Sequence, residues 1–515
     1  MDRFFFMIVL VLLASATAIS VHSQGADTDD DRATQRALGQ DLPLPHETIA
    51  ASARQTVSLS DSPYSYRAFT KRTRVVDSFG VYPPADIVSF SYEHQSPEAD
   101  PFRPVIFFFN GGPGSSSIWL HMTGFGPEKV SADLPNAQNG EVPLTQEPNE
   151  GFLIDVADLV FVDPVGTGLS RVVEGGNENA FKDLRVDARA MCRFVQNWLK
   201  GEDRIGAPVY IVGVSYSSLR AAGMASHSQC RDFRENLHGL ILVSGLLDLR
   251  MRHSIDLDGP VSRYPTIAAV AWQRGLVDRA LWDDDLDRFL ADMEAYSDTV
   301  LAPALAQSHR LNTDAQRQIM NELNAQIGLP EPSPDTHSIA GAVRHAQRRV
   351  DGNETACGYD ARFNCGRRTG SHPNLSLTTF GRFLEDKLVE HLRSTMAYDL
   401  DQQMYRVIRG NSFRANWDYR FHKSFESGGG TDMAHTLLRR IKIGDPTRIM
   451  VVSGIYDLVT PYYAMELALL RAGLTPEQIN LHLYEGGHMM YVEKETGYQL
   501  AADIRSFIRG ADRPS

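Results

Sequence analysis

The sequence has few of the residues that build metal, redox or phosphate sites. Only four cysteines occur among 515 residues, and there is no CxxC pair and no HExxH motif, so the spacing of a zinc site is absent. The glycine-rich stretch NGGPGSSS is not followed by the Gly-Lys-Ser/Thr of a phosphate loop. We therefore expect no metal and no cofactor.

Positive charge is also scarce. The chain has 51 Lys and Arg against 64 Asp and Glu, a formal net charge of −13. An acidic surface argues against nucleic acid or an anionic membrane as the main partner. Beyond the N-terminus no stretch is apolar for long enough to span a bilayer.

The N-terminus has the pattern of an export signal. A basic touch at Arg3, an apolar run and then small residues predict a signal peptide over residues 1–23, with an uncleaved anchor as the alternative. Export predicts a secreted or periplasmic protein, with no membrane attachment after signal cleavage. The polar, acidic residues 24–63 predict a flexible tail.

Export makes disulfides possible for the four cysteines. Cys357 and Cys365 lie close together in a Gly- and Arg-rich loop and are the favoured pair. Cys192 and Cys230 fall on or near two predicted helices. They either pair across those helices or remain as two buried thiols.

Short apolar runs alternate with helical patterns in the first half of the chain. Such runs are typical of strands buried on both faces of a mostly parallel sheet. They include PVIFFFN, DLVFVDPVG, PVYIVGVS and LHGLILVSGLLDL, after an antiparallel pair predicted from Tyr64 to about His94. The pattern predicts an α/β core over residues 64–260 and 432–515, with a large, mainly helical lid insertion over residues 261–431.

The stretch YIVGVSYSSLRAA at 210–222 has the outline of a nucleophile elbow. A strand runs into Gly-Val-Ser-Tyr-Ser and then into a helix, which would expose the Ser215 hydroxyl. Gly213 and Ser217 are small, as the crowded turn demands. Taken alone, Ser215 is equally well explained as a helix-capping serine.

An acid and a histidine follow the serine in the order that such hydrolases use. Asp457 comes just after the predicted strand in MVVSGIYDLVTP, and His488 follows the next strand and two glycines. Singly, these residues are also explained as a turn aspartate and a surface histidine. Because all three groups follow successive strand ends in the right order, Ser215, Asp457 and His488 are the candidate catalytic residues.

These motifs together resemble the serine carboxypeptidase family of α/β-hydrolases, most closely its bacterial, exported branch. The matching strings are NGGPGSSS, VDPVGTGLS, GVSY, SGIYDLVTP and GGHMMY, and the resemblance covers roughly residues 64–512. It implies an α/β-hydrolase fold, with a mixed, mostly parallel sheet flanked by helices. It also implies that Ser215 is the nucleophile, His488 the general base and then acid, and Asp457 the orienting carboxylate.

The resemblance further implies which groups hold the substrate. The backbone N–H groups of Gly112 and Tyr216 would form the oxyanion hole. Asn110 and the backbone of Gly111 would bind the free C-terminal carboxylate of a peptide substrate.

The sequence differs from the family at two positions that bind the substrate's C-terminal carboxylate. The family has a glutamate at the position of Val214 and a second one at the position of Gly124. Losing contacts worth about 1.5–3 kcal/mol each should weaken carboxylate recognition by roughly one or two orders of magnitude. His121 and Arg220 lie near the motif loops and are candidate replacements. For each of them the alternative is a packing role on a helix face or a charge that faces solvent.

Three functions are consistent with these residues. The first is an exported serine carboxypeptidase-like hydrolase that removes C-terminal residues through an acyl-enzyme. The second is an esterase or acyltransferase with the same Ser-His-Asp groups, suggested by the two missing glutamates. The third is a non-catalytic binding protein on a hydrolase scaffold, suggested by the altered elbow.

Overall fold

The structure, a computed structural model, describes residues 46–96, 100–133, 142–253, 255, 257–331, 336–350, 357–363, 377–421, 431–441, 447–475 and 479–510. The predicted signal peptide and the first part of the predicted tail lie outside these residues. The strands are β1 His46–Ala51, β2 Gln55–Leu59, β3 Ser62–Val75, β4 Ala85–His94, β5 Val105–Phe109, β6 Glu128–Ala132, β7 Leu144–Pro148, β8 Asp158–Val162, β9 Arg171–Val172, β10 Val209–Val214, β11 Leu237–Val243, β12 Arg448–Gly454 and β13 Asn480–Tyr484.

The longer helices among the described residues are α1 Leu184–Gly201, α2 Tyr216–Ser226, α3 Asp258–Gln273, α4 Leu286–Tyr296, α5 Thr313–Gln326, α6 Ile339–Val350, α7 Leu377–Met396, α8 Met433–Ile441, α9 Tyr462–Ala472 and α10 Lys494–Arg509. Short helical turns occupy Ile118–Leu120, His121–Phe125, Leu153–Asp155, Glu178–Phe181, Ser228–Cys230, Arg231–Arg234, Arg250–His253, Arg279–Trp282, Ser297–Leu301, Ala302–Ala306, Ser308–Arg310, Gln402–Met404, Asn411–Arg414 and Met490–Val492. None of the helices in this part of the chain combines the length and the apolar character that crossing a membrane takes.

One mixed sheet of 11 described strands organises the fold. Nine of them follow the order β1-β3-β4-β8-β5-β10-β11-β12-β13, while β2 pairs with β3 and β9 pairs with β4. From β8 to β13 in that order, neighbouring strands are parallel. β3 and β4 form the predicted antiparallel pair, and β4 runs antiparallel to β8. The mostly parallel sheet confirms the predicted fold class.

The central strand β5 shows why these segments read as unbroken apolar runs. Val105, Phe107 and Phe109 point into the hydrophobic core on one face of the sheet. Ile106 and Phe108 point into the separate core on the other face. All five are fully buried, because helices cover both faces of the sheet at this strand.

Two strands begin earlier than the sequence pattern indicated. β1 pairs with β3 from His46, and β2 pairs with the first residues of β3, from Ser62 to Tyr66. The prediction of a flexible tail up to residue 63 is therefore wrong from His46 onward. These edge strands are short and mostly polar or half-buried, so their composition resembles that of a tail.

All three cysteines among the described residues form disulfides. Cys192 of α1 is bonded to Cys230, at the end of the turn that follows α2. The alternative of two buried thiols is wrong for this pair. Cys357 is also disulfide-bonded, and its predicted partner, Cys365, lies outside the described residues.

A long segment separates two strands that are neighbours in the sheet. β11 ends at Val243 and its parallel neighbour β12 begins at Arg448, with helices α3 to α8 between them. The boundaries of the lid insertion, 261 and 431, stay predictions.

Candidate active site

Ser215 stands at the turn between β10 and α2. Its backbone has φ 59° and ψ −124°, a conformation that costs a residue with a Cβ free energy. Its N–H donates to the Val243 carbonyl at 2.9 Å, which fixes the turn to the end of β11. Ser215 is half-buried, whereas Val214 and Tyr216 on either side of it are buried, so Ser215 is the most accessible residue of the elbow.

Glycine at position 213 is required by this turn. A Cβ at Gly213 would lie 2.4 Å from the Ser217 carbonyl oxygen, far inside contact distance. The second small residue, Ser217, uses its hydroxyl to donate to the Asn110 carbonyl at 2.6 Å. The elbow is therefore held on both sides by the residues that the sequence pattern identified.

Asp457 and His488 are in direct contact. The Asp457 carboxylate is fully buried, and its Oδ2 lies 2.6 Å from His488 Nδ1. Its Oδ1 accepts from the backbone N–H groups of Val459 and Thr460 at 2.8 and 3.0 Å. A carboxylate held in this way keeps the Nδ1 proton on the imidazole and leaves Nε2 free to accept one.

Thr460 is a member of this cluster that sequence reasoning missed. Its Oγ1 lies 2.5 Å from Asp457 Oδ2 and 3.1 Å from His488 Nδ1, and it also lies 2.8 Å from the Ser244 carbonyl. It therefore ties the Asp457 loop to the end of β11, one residue beyond the carbonyl that holds Ser215. The only sequence signal for Thr460 was its place in the matched string SGIYDLVTP.

The parallel order of the sheet brings these loops to one edge. Ser215, Asp457 and His488 follow β10, β12 and β13, and β11 lies between β10 and β12. Because the carboxyl ends of parallel strands meet at one edge of a sheet, the three loops are neighbours there.

The glycine-rich loop after β5 packs directly onto the elbow. A Cβ at Gly111 would lie 2.6 Å from the Val214 carbonyl oxygen, 2.7 Å from Ser215 Cβ and 2.9 Å from the Tyr216 nitrogen. Gly112 follows with φ +109°, in the region that favours glycine. Tyr216 is the first residue of α2, where backbone N–H groups have no partner within the helix. The N–H groups of Gly112 and Tyr216 thus lie on two segments in van der Waals contact.

Asn110 is buried, and its amide is engaged at both ends. Its Oδ1 accepts from the Leu120 N–H at 3.2 Å, and its side chain hydrogen-bonds the Tyr491 hydroxyl. Burial raises the pKa of Tyr491, and the hydrogen bond from Asn110 opposes that rise. Tyr491 is therefore a hydrogen-bond partner of the Asn110 side chain, and the sequence did not predict this contact.

The two positions that lack a glutamate differ in the space they leave. Val214 is buried at the end of β10. Gly124 lies in the turn His121–Phe125, where a Cβ would meet only Leu120 and Tyr491 side-chain atoms at 3.7 Å. Neither position carries a charge. The polar groups described near Gly124 include the amide of Asn149, which donates to the Gly124 carbonyl at 2.9 Å.

Lys129 lies close to Gly124, but its amino group is bound to backbone carbonyls and does not face the space beside Gly124. Its Nζ donates to the Thr123 carbonyl at 2.6 Å and to the Tyr491 carbonyl at 2.5 Å. A Cβ at Gly497 would lie 2.6 Å from that Nζ, so α10 closes over it. Burial lowers the pKa of Lys129 to about 7. Lys129 holds two backbone segments together.

His121 and Arg220, the candidate replacements for the glutamates, are both packed inside the protein. His121 Nε2 lies 2.6 Å from the Tyr92 hydroxyl, which also lies 2.8 Å from His391 Nε2 of α7. Burial lowers the pKa of His121 well below its usual range and that of His391 to about 4. Both imidazoles are therefore neutral near pH 7, and the packing role is confirmed for His121.

Arg220 supports the elbow from beneath. Its Nε donates to Asp187 Oδ2 at 2.8 Å and its Nη1 to the Asn110 carbonyl at 3.0 Å. The same carboxylate oxygen accepts from the Tyr216 hydroxyl at 2.9 Å. Arg220 is 1% exposed and its guanidinium is paired with Asp187, so it cannot contact a substrate directly.

Comparison with known proteins gives two kinds of match. The pheromone-processing carboxypeptidase kex1 of Aspergillus fumigatus is 24% identical over 248 residues, which is 46% of this chain and 34% of that protein. Its counterpart in Vanderwaltozyma polyspora is 32% identical over 130 residues, which is 25% of this chain and 16% of that protein. The match thus spans about a third or less of these curated relatives.

Among solved structures, a prohormone-processing carboxypeptidase from Saccharomyces cerevisiae aligns with 89% of this chain and 94% of its own, with a TM-score of 0.51 at 15% identity. At that identity the likeness establishes the fold. The family model described as serine carboxypeptidase matches residues 88–485, most of the chain. The chain therefore belongs to the serine carboxypeptidase family.

Proposed function

We propose that this protein is a serine carboxypeptidase-like hydrolase that removes C-terminal residues from peptides through an acyl-enzyme on Ser215. The observation that carries the proposal is the 2.6 Å contact between Asp457 and His488, at loops beside the strained turn of Ser215. Membership of the serine carboxypeptidase family supports the same reaction.

In the proposed reaction, Ser215 Oγ attacks the scissile carbonyl while His488 Nε2 takes its proton. Asp457 holds the imidazole in the tautomer that leaves Nε2 unprotonated and stabilises the imidazolium that forms. The N–H groups of Gly112 and Tyr216 stabilise the negative oxygen of the tetrahedral intermediate. His488 then gives the proton to the departing amine, and water attacks the acyl-enzyme to release the shortened peptide.

Recognition of the substrate's free carboxylate is proposed for Asn110 and the Gly111 backbone. Both lie on the loop that packs against Ser215, which supports their placement near the scissile bond. The Asn110 amide already binds Leu120 and Tyr491, so it offers less to a carboxylate than a free amide would.

The second candidate function is an esterase or acyltransferase that uses the same groups. Val214 and Gly124 favour it, because both positions lack the carboxyl groups that serve peptide recognition in the family. The acyl chemistry at Ser215 does not depend on those positions. The third candidate, a non-catalytic binding protein, is disfavoured by the buried Asp457–His488 contact, which a binding protein has no reason to keep.

One experiment separates the three candidates. The purified protein is treated with a fluorophosphonate probe and then assayed with a blocked dipeptide and with an aryl ester of the same acyl group. We expect labelling, dipeptide cleavage and ester cleavage, with all three lost in Ser215→Ala. Ester turnover without dipeptide cleavage from pH 4 to 8 would select the esterase. Absence of labelling would select the binding protein.

We also propose that the protein is exported, with peptides as its substrates. The predicted signal peptide over residues 1–23 and the Cys192–Cys230 disulfide support an oxidising compartment. N-terminal sequencing of the protein recovered from outside the cytoplasm tests this: a mature chain starting near residue 19 or 24 is expected. An intact Met1 in every fraction would contradict it.

A further inference from the structure

Residues 357–363 come from the long segment between β11 and β12, between α6 and α7, yet they lie against the loops of Asp457 and His488. The Leu458 N–H donates to the Gly358 carbonyl at 3.0 Å, and the Ala361 N–H donates to the Tyr456 carbonyl at 2.9 Å. The two residues that flank Asp457 are therefore both hydrogen-bonded to segment 357–363.

The same segment holds His488. The His488 N–H donates to the Tyr359 carbonyl at 2.6 Å. The rings of Tyr359 and His488 pack edge to face, with centroids 5.1 Å apart and planes at 88°. Backbone and imidazole of His488 are thus both in contact with one residue of the segment.

Close packing at the preceding glycine shows that this contact is tight. A Cβ at Gly487 would lie 2.3 Å from the Tyr359 carbonyl oxygen and 2.5 Å from Asp360 Cβ. Any side chain at Gly487 would push the segment away from the histidine loop. The two stretches of chain are therefore fitted to each other.

Charged groups also anchor the segment to its neighbours. Arg362 Nη2 lies 2.6 Å from Asp360 Oδ2 and 2.5 Å from Glu493 Oε1, at the start of α10. Arg362 Nη1 donates to the Glu485 carbonyl at 3.2 Å. From the residue that follows α3, the side chain of Arg274 donates to the Ala361 carbonyl at 3.2 Å. Three other parts of the fold thus hold segment 357–363 through these groups.

We propose that segment 357–363 is a positioning element of the active site, and that Tyr359 is the residue that holds the His488 imidazole in register with Asp457. The proposal rests on the proposed function. The imidazole must meet Asp457 on one side and the Ser215 hydroxyl on the other, and a misplacement of about 1 Å can cost on the order of a hundredfold in rate. The Asp457 hydrogen bond fixes one atom of the imidazole, and the perpendicular packing of the Tyr359 ring fixes the plane of the imidazole.

The test compares Tyr359→Ala with Tyr359→Phe and with Tyr398→Ala. Tyr398 is also half-buried and lies in the same inter-strand segment, but it packs against the hydrophobic core on the side of Phe90 and Phe161. We expect Tyr359→Ala to lower kcat by about 10- to 100-fold with KM within about threefold, because the ring contact orients a group that acts in the transition state. Tyr359→Phe keeps the ring and should restore turnover, and Tyr398→Ala should leave kcat unchanged.

The rate of fluorophosphonate labelling gives a second readout, because it reports the reactivity of Ser215 without a peptide substrate. It should fall in parallel with kcat in Tyr359→Ala. If that variant does not fold, Tyr359→Leu keeps the bulk of the side chain while it removes the aromatic edge. Unchanged labelling and kcat in a folded Tyr359→Ala or Tyr359→Leu would overturn the proposal, as would an equal loss in Tyr359→Phe. Failure of the wild-type protein to label would instead overturn the proposed function.

Discussion

Two groups of loops at the same edge of the sheet, which we call the catalytic corner and the recognition corner, differ in how far they match the family pattern. The catalytic corner, formed by the loops of Ser215, Asp457 and His488, carries the three side chains that we propose for acyl transfer. The recognition corner, around Asn110 and Gly124, lacks the two carboxyl groups that the family resemblance implies there. The cations next to it, Lys129 and Arg220, are already bound within the protein. The difference indicates that acyl transfer and recognition of the substrate's C-terminal carboxylate can change independently, because they depend on different residues of neighbouring loops.

The supports of the two corners differ in the same sense. Asp457 is held by backbone N–H groups, Thr460 and His488, so the catalytic corner is organised around a buried charge. The turn that carries Gly124 begins at His121, which rests on Tyr92 and, through it, on His391. Because burial keeps both histidines neutral, this support of the Gly124 turn consists of uncharged hydrogen bonds.

The largest effect is expected from Asp457→Asn at the catalytic corner. An amide would favour the wrong tautomer of His488, which should lower kcat by about 10⁴-fold while the fold is kept. Steady-state kinetics on the blocked dipeptide measures the loss. The matched control is Asp432→Asn, since Asp432 also bonds a histidine Nδ1, that of His435 at 2.8 Å, but on the surface. A loss under tenfold in Asp457→Asn would mean that Asp457 does not orient the base.

The next effect compares glycines from the two corners. In Gly111→Ala the new methyl group would collide with Val214, Ser215 and Tyr216 and displace the loop that carries Gly112. We expect kcat/KM to fall by about 10²- to 10³-fold, the cost of a lost oxyanion donor. Gly124→Ala, where the nearest atoms are 3.7 Å away, should stay within about twofold. Equal losses of kcat/KM in the two variants would show that the Gly111 loop does not supply an oxyanion donor.

A smaller effect should come from removing the charge at the substrate's C-terminus. A blocked dipeptide and its C-terminal amide should differ in kcat/KM by less than about tenfold, because the glutamate contacts worth about 1.5–3 kcal/mol each are missing. The aryl ester of the same acyl group measures acylation apart from this recognition. A preference above about a hundredfold for the free acid would reveal another group that reads the carboxylate.

The smallest effect on turnover is expected at His391, whose role is in stability. Its pKa is about 4 in the folded protein and about 6.5 when unfolded, so the unfolded chain binds more protons between these values. Stability should therefore fall as the pH falls from about 6.5, by roughly 2–3 kcal/mol at pH 4.5 from this group.

Urea unfolding of wild type, His391→Gln and His435→Gln at pH 7 and 4.5 measures that contribution. The His391 variant should have the shallower pH dependence, and the variant of the exposed His435 should behave as wild type. Equal pH dependence in wild type and His391→Gln would contradict the burial argument.

Much of the catalytic corner was predictable because its signals are local. Strand-length apolar runs followed by Ser215, Asp457 and His488 need only the order of the chain and the rule that parallel strands end at one edge. Gly213 and Gly111 are recognisable for a similar reason, since a strained turn and a close approach leave no room for a Cβ. Local patterns also predicted the sheet strands β3, β4, β5, β8 and β10 to β13, but not β1, β2 and β9.

The sequence by itself determined which chemical groups the protein carries, including the absence of carboxyl groups at Val214 and Gly124. Only the tertiary structure decided how these groups are supported. It buried Arg220 against Asp187, and it brought Tyr359 to His488 across more than a hundred residues of chain. Contacts of this kind depend on which elements pack together, because burial and hydrogen-bond geometry are properties of the assembled core rather than of any local pattern.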